Sequence, residues 1–256
     1  MPTVTENLQF WSDYDWKLEG NERNIGYGGT RSAWQFAILP RIQRFIPADH
    51  ILELAPGHGV WTEYLRPFAR RMTLVDLTPR CIEFCRRKYG EENMTYVVND
   101  GRTIPCVDDG TVDFVFSWHS LVHAEHDVMR AYVQEINRVL RPGGMGLIHH
   151  TNYGEFAVER DGRPPVPNDH WRGIDMTARK FRDDSAACGL QCVYQELVPW
   201  GSLEPVDCFS LVQRPRPGQH LRPTVVDENP FFWQHIRLGM AVDLRYREQP
   251  QPVPHF

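Results

Sequence analysis

Short apolar runs alternate with stretches of helical periodicity along most of the chain, and the alternation is regular enough to predict elements one at a time. The stretch IleLeuGluLeuAlaProGlyHisGlyValTrp, residues 51–61, reads as a buried strand that breaks into a glycine-bearing turn, followed by a helix over Thr62 to Arg66. Met72 to Leu77 is a second apolar run, ending at Asp76. Thr78 then suits a helix N-cap, Pro79 the first helical position and Gly90 the stop, with Ile82, Cys85 and Tyr89 as the inward stripe. Thr95 to Val98 and Val112 to Ser117 are the third and fourth strands. A helix over Asp127 to Leu140 turns Val128, Tyr132, Ile136, Val139 and Leu140 inward, ArgProGlyGly closes it, and Met145 to His149 is the fifth strand.

Before this alternation, residues 32–46 carry Trp34, Ala37, Ile38, Ile42 and Phe45 at helical spacing, and Pro47 ends the run. The first 35 residues are aromatic and polar, which suits a cap more than a core strand. After it, a helix over Met176 to Ala187 precedes two strands, Leu190 to Leu197 and Cys208 to Gln213, that pair as closing antiparallel partners. The expected fold is α/β: a doubly wound, Rossmann-like, seven-stranded and mostly parallel sheet whose last strand pair is antiparallel, with helices on both faces. Three regions follow. Residues 1–47 form an N-terminal cap and helix. Residues 48–214 form the core, with an insertion at 150–175 placed as a substrate lid. Residues 215–256 form a proline-rich linker and a C-terminal helix with Phe232, Ile236, Met240 and Leu244 on one stripe, a face that needs either the core or a second subunit, the latter giving a homodimer through this helix. The tail after Gln249 is expected to be loose.

Composition narrows the classes of partner. The 41% hydrophobic content fills a core, while a net charge of −5 and a pI near 6.1 provide no basic surface for nucleic acid or an anionic membrane. No apolar stretch reaches the length of a membrane span and the first residues lack a secretory pattern, so a cytoplasmic location and a small-molecule substrate are expected. The six cysteines include two pairs spaced four apart, not the CxxC of a metal or redox site, and read as free thiols.

The turn after the first strand limits the ligand. Gly57 and Gly59 permit positive φ and a ligand lying against the main chain, and the following helix offers its N-terminus. The third glycine of the dinucleotide fingerprint is missing, because Trp61 and Thr62 follow, and Glu53 suits a cationic ligand better than a phosphate. The phrase GluLeuAlaProGlyHisGly resembles the first motif of class I S-adenosylmethionine-dependent methyltransferases, with Ala55 in place of its first glycine. LeuArgProGlyGly at 140–144 is similar to a phrase frequent at that point of the same family. The resemblance implies S-adenosyl-L-methionine as cofactor, with Glu53, Ala55, Gly57, Gly59, Asp76, Leu77, Asp100, Gly101 and Ser117 as its contacts. Asp76 would take both ribose hydroxyls and Asp100 the adenine amino group. An N-terminal segment closing over the cofactor would bring Tyr14, Trp16 and Tyr27 to the pocket.

The acceptor side rests on histidines beyond the strand ends. His123 is the first choice for a base acting on a hydroxyl, and His150 the second, with Asn152 or Glu125 as orienting groups; His119 is weaker. No metal is expected, because His149 and His150 point to opposite faces of a strand. Trp118, Trp171, Arg172 and Tyr153 are placed as an apolar or sugar-stacking wall. The expected activity is methyl transfer to a small molecule, at an oxygen of a sugar or secondary metabolite. A small-molecule N-methyltransferase, a nicotinamide-dependent oxidoreductase and a noncatalytic cofactor-binding protein stay as alternatives.

Overall fold

The computed structural model describes residues 2–159 and 165–247, so part of the predicted lid and the tail after Gln249 lie outside the described residues. Eight strands form one sheet: β1 (Ala48–Leu54), β2 (Ala69–Asp76), β3 (Met94–Val98), β4 (Val112–Ser117), β5 (Leu140–Thr151), β6 (Gln191–Val198), β7 (Asp207–Gln213) and β8 (Val225–Glu228). Their order is β3-β2-β1-β4-β5-β7-β6-β8, with β1 to β5 parallel to one another and β7 antiparallel to both β5 and β6. The α/β expectation holds, with one strand more than the seven predicted. The addition is β8, which pairs parallel to β6 just beyond the proline-rich linker.

The helices are α1 (Val4–Asp13), α2 (Thr30–Ser32), α3 (Leu39–Ile42), α4 (Thr62–Leu65), α5 (Pro79–Tyr89), α6 (His126–Val139), α7 (Ala178–Ala187) and α8 (Phe232–Arg247). A π-helical stretch, Ala33–Ile38, joins α2 to α3. Successive strand residues serve opposite faces of the sheet. Ile51, Phe114 and Phe116 pack with Trp34, Ile38 and Ile42 on one side; Leu52, Leu54 and Val115 pack with Val133, Ile136 and Phe181 on the other. This two-sided burial is why the parallel strands read as continuous apolar runs. All six cysteines are free thiols, and among the described residues no helix is long and apolar enough to cross a membrane.

The chain runs from β1 outward to β2 and β3, then returns across β1 to β4. Strand order therefore reverses between β1 and β4, and a crevice opens beyond their carboxyl ends. α1 is started by Thr3, whose hydroxyl accepts from the Glu6 N–H while the Glu6 carboxylate accepts from the Thr3 N–H, and Val4, Asn7 and Trp11 from this helix roof the crevice. On the opposite flank, α8 buries Phe232 and Ile236 but leaves Leu238, Val242, Leu244 and Tyr246 exposed.

Candidate active site

Beyond the strand ends lies a cavity lined by the turn Ala55 to Gly57, by Asp76 to Thr78, by Gly101, by Trp118 to Leu121 and His123, and by the N-terminal roof, which includes Trp11, Trp16, Arg23 and Asn24. The turn is built by backbone geometry. Ala55 and Gly57 both sit at positive φ, 55° and 57°, and Gly57 has no room for a β-carbon because the Trp16 ring would lie 2.7 Å from it. Gly59 serves packing instead: a β-carbon there would meet Tyr89 at 2.6 Å, and the Tyr89 hydroxyl donates to the Gly59 carbonyl at 2.6 Å. His58, between them, is stacked between Trp16 at 4.5 Å and Phe84 at 3.8 Å, which fastens the roof to the turn.

Asp76 closes the floor. Its Oδ2 accepts from the Gly57 N–H at 3.1 Å and its Oδ1 from the Thr78 N–H at 2.8 Å, and the Thr78 side chain also donates to it, which leaves part of its roughly four-fold acceptor capacity available. Burial raises its pKa to about 6 despite the Gly57 and Thr78 donors. Leu77 and Gly101 line the cavity beside it.

The remaining predicted contacts lie elsewhere. Glu53 is buried beneath the turn and accepts from the Thr62 hydroxyl at 2.6 Å, without lining the cavity. Asp100 is exposed, and its Oδ1 is occupied by the N–H groups of Arg102 and Thr103 and the Thr103 hydroxyl, an Asx turn. Ser117 is fully buried at the end of β4, behind the cavity wall. The second catalytic choice, His150, is corrected: its Nδ1 bonds the Thr151 carbonyl at 2.9 Å, its Nε2 the Ser210 hydroxyl at 2.8 Å, and its ring stacks on Phe181 at 4.3 Å. The pleat of β5 turns it to the α7 face, away from the cavity. Asn152 and Glu125, proposed as orienting groups, accept from backbone N–H groups at Ala178 and at Ile174 and Asp175.

Glu53 yields a prediction of its own. Burial raises its pKa from 4.5 to about 8, so the native state favours the protonated acid, and the stability this supplies is full below 4.5 and lost as pH rises through 8. Glu53→Gln is therefore expected to raise the thermal midpoint at about pH 9 and change it little at about pH 5, read by scanning fluorimetry.

His123 does line the cavity, and its ring is held in one tautomer. Nδ1 lies 2.9 Å from the Trp171 carbonyl, which can only accept, so Nδ1 carries the hydrogen and Nε2 is left with its lone pair. Burial, joined by the Arg23 charge, pushes the imidazole down to about 4. The same loop carries His119, in the left-handed region at φ 64°, whose Nε2 meets the Tyr27 hydroxyl at 2.8 Å. Its backbone N–H donates to His149 Nδ1 at 3.2 Å, and the Ser120 hydroxyl ties the loop to the Ala55 carbonyl at 2.7 Å.

Behind the histidines sits a carboxylate that the sequence did not single out. Asp207, at the start of β7, takes Arg172 on both oxygens, at 2.7 and 3.2 Å, and faces His149 Nε2 at 3.4 Å. Burial alone would raise it, yet His149 and Arg172 hold it down to about 2. One arm of this hub fixes the segment whose Trp171 carbonyl orients His123; the other holds the His149 ring that receives the His119 N–H. Arg172, expected on a sugar-stacking wall, is an ion-pair partner instead. Tyr153 donates to the Val166 carbonyl, and Trp118 does line the cavity.

A nucleoside with a cationic amino-acid arm fits these residues. A buried carboxylate with spare acceptor capacity stands at the floor, and among the described residues two polar atoms at the cavity lack a partner, Trp16 Nε1 and Asn24 Oδ1. Among the described residues no three metal-ligating side chains converge.

Comparison with known proteins agrees. Residues 51–144 match the model of a family described as "Methyltransferase domain". Over 183 residues the chain is 27% identical to the Mycobacterium ulcerans protein named "Probable phthiotriol/phenolphthiotriol dimycocerosates methyltransferase 2", covering 70% of this chain and 61% of that one. It is also 27% identical, over 60% of each chain, to a malonyl-[acyl-carrier protein] O-methyltransferase of Serratia marcescens. The chain thus spans about three fifths of the length of these relatives. Among solved structures it is similar to the N-methyltransferase NodS of Bradyrhizobium japonicum in complex with S-adenosyl-L-homocysteine, with a TM-score of 0.56, 17% identity and coverage of 83% of this chain and 99% of that one, a likeness of fold. The strand order, the turn and the matched segment agree: over residues 51–144 the chain is similar to a methyltransferase domain, and it shares the fold of the solved methyltransferase above.

Proposed function

We propose that this chain transfers the methyl group of S-adenosyl-L-methionine to an oxygen of a small-molecule acceptor, with Asp76 and the Ala55 to Gly57 turn holding the donor and His123 receiving the acceptor's proton. The observation that carries the reading is the placement of Asp76 and the lone-pair nitrogen of His123 around one cavity. When bound, the donor supplies an activated methyl on a sulfonium that leaves without acid assistance.

The chain's own contribution is alignment, dehydration and proton removal. The Asp76 carboxylate accepts hydroxyl hydrogens of the ribose, as charge-assisted bonds worth about 1.5 to 3 kcal/mol each. Trp11 and Trp16 roof the cavity and shield it from water. A neutral imidazole of low basicity suffices at Nε2, because an alcohol gains acidity steeply as its oxygen bonds to the methyl carbon. The proton therefore moves late, and no alkoxide has to form first.

The donor half is tested by calorimetry with S-adenosyl-L-homocysteine. Hydroxyl donors favour the ionised form of Asp76, so affinity is expected to fall as pH drops through about 6. Asp76→Asn should weaken binding about tenfold at neutral pH and flatten that dependence, since a neutral acceptor forfeits about 1.4 kcal/mol or more. Unchanged affinity in the variant rejects the ribose assignment. For the acceptor half, a screen of hydroxyl, carboxyl and amine compounds with labelled donor should show label on oxygen; label on amines alone rejects it.

A further inference from the structure

Among the described residues the cavity lining contains one acid, Asp76, and one permanently charged cation, Arg23. Asp76 is accounted for by the donor. Arg23 is not accounted for by anything in the fold. Its guanidinium carbon lies 4.5 Å from the centre of the Trp11 ring and 4.8 Å from that of Tyr14, and among the described residues no carboxylate pairs with it and no acceptor bonds its N–H groups. The neighbouring acid, Glu22, forms no ion pair with it and is engaged by the Tyr14 hydroxyl and the Gly20 N–H, each at 3.1 Å. Contact with ring faces supports the guanidinium without using its fork of donors.

Its position relative to the proposed base is defined. Trp11 has Arg23 on its ring at 4.5 Å and the His123 imidazole at a centroid distance of 5.2 Å. The Trp11 indole N–H donates to Asn7, whose amide in turn donates to the His123 carbonyl at 3.4 Å. Cation, aromatic shelf and imidazole thus form one wall of the cavity. Asn24, next in the chain and 1% exposed, adds a carbonyl oxygen that lacks a partner among the described residues.

A half-buried guanidinium held on two ring faces, with no counter-ion among the described residues, keeps its fork of donors free for an anion that arrives with the substrate. We propose that Arg23 anchors an anionic group, carboxylate or phosphate, carried by the methyl acceptor, so that the acceptors of this chain are acid-bearing hydroxy compounds. The proposal rests on the reading of the cavity as a methyl-transfer site. A bidentate anion on the fork would neutralise the charge facing His123 and fix the acceptor by two parallel bonds, leaving its hydroxyl to the imidazole.

The test uses the full chain loaded with S-adenosyl-L-homocysteine and follows tryptophan fluorescence. Two matched pairs serve as probes: p-hydroxybenzoate against p-hydroxybenzyl alcohol for a carboxylate, and phenyl phosphate against phenol for a phosphate. At least one anion is expected to bind about tenfold or more tighter than its neutral partner, as a charge-assisted bidentate contact would give. Arg23→Gln should abolish that preference while keeping S-adenosyl-L-homocysteine affinity within about twofold, and Arg23→Lys, which keeps charge but loses the fork, should retain part of it. Equal binding within both pairs, or no binding of either anion, overturns the proposal. So does an Arg23→Gln chain that keeps the preference but loses the homocysteine compound, because the guanidinium would then serve the donor. Failure of the wild-type chain to bind S-adenosyl-L-homocysteine at all would instead reject the underlying function.

Discussion

Asp207→Ala is expected to destabilise the protein by about 3 to 5 kcal/mol, the usual cost of removing one partner of a buried ion pair. The variant leaves the Arg172 guanidinium, with its side chain 3% exposed, without a counter-charge, and His149 Nε2 without the carboxylate it faces. At this size the loss corresponds to a thermal midpoint lower by about 6 to 20 °C. Urea unfolding measures it directly; a loss under about 1 kcal/mol would mean that the hub holds nothing. The double variant Asp207→Leu with Arg172→Met removes both charges and should recover most of the stability, since the penalty lies in the orphaned charge rather than in the lost attraction. It should not recover turnover, because the segment carrying the Trp171 carbonyl would no longer be pinned by an ion pair. Acid acts on the same hub. The Asp207 pKa is depressed from 3.8 to about 2, so its stabilising contribution is present above 3.8 and disappears as pH falls toward 2.

The hub also shows where sequence reading stops. The parallel strands were legible because each is buried on both faces and so reads as an unbroken apolar run, and α5 was legible because Thr78, Pro79 and Gly90 mark its ends in the chain itself. Asp76, Leu77 and Gly101 follow directly from those strand ends. Asp207 carries only a faint local mark, an acid opening a strand of Cys, Phe, Ser, Leu and Val. Its partners come from residues 149 and 172, and no spacing announces that three such distant positions converge.

Two other differences have the same origin in long-range contacts. β8 is four residues long with every position exposed, so it shows no apolar alternation; its existence is a matter of main-chain pairing with Tyr194 to Leu197. His149 and His150 were known to face opposite ways, but which face holds the cavity depends on the whole sheet, and the pleat assigned the cavity side to His149. In the N-terminal roof, Trp16 was expected at the pocket and lines it. Trp11 and Arg23 line it as well; Trp11 meets His123, more than a hundred positions away, and Arg23 rests on Trp11.

His123→Ala is expected to lower kcat on a hydroxyl acceptor by about 10²- to 10⁴-fold, the range for losing a positioned general base. The structure sets the form of the test. Because Nδ1 is committed to the Trp171 carbonyl, proton transfer has Nε2 as its route, so His123→Asn, whose amide can still donate to that carbonyl, should preserve the loop and remain as slow as the alanine variant. S-Adenosyl-L-homocysteine affinity should stay within about twofold in both, since Asp76 and the turn are untouched. The acceptor then decides between a base and a merely structural ring. A carboxylate acceptor carries no proton to remove, so its methylation should fall less than about fivefold, while a hydroxyl acceptor of similar shape shows the full loss. Equal losses on both acceptors would mean that the ring only shapes the cavity, and an asparagine variant with more than about a third of wild-type kcat would place the proton's destination elsewhere. With burial and Arg23 holding the imidazole near 4, wild-type turnover should show no acid limb from His123 above about pH 5, whereas an exposed histidine would begin to fail near 6.5. A flat rate through that interval, joined to a large loss in both variants, is the combination that a buried, neutral, single-tautomer base produces and that a solvent-exposed one does not.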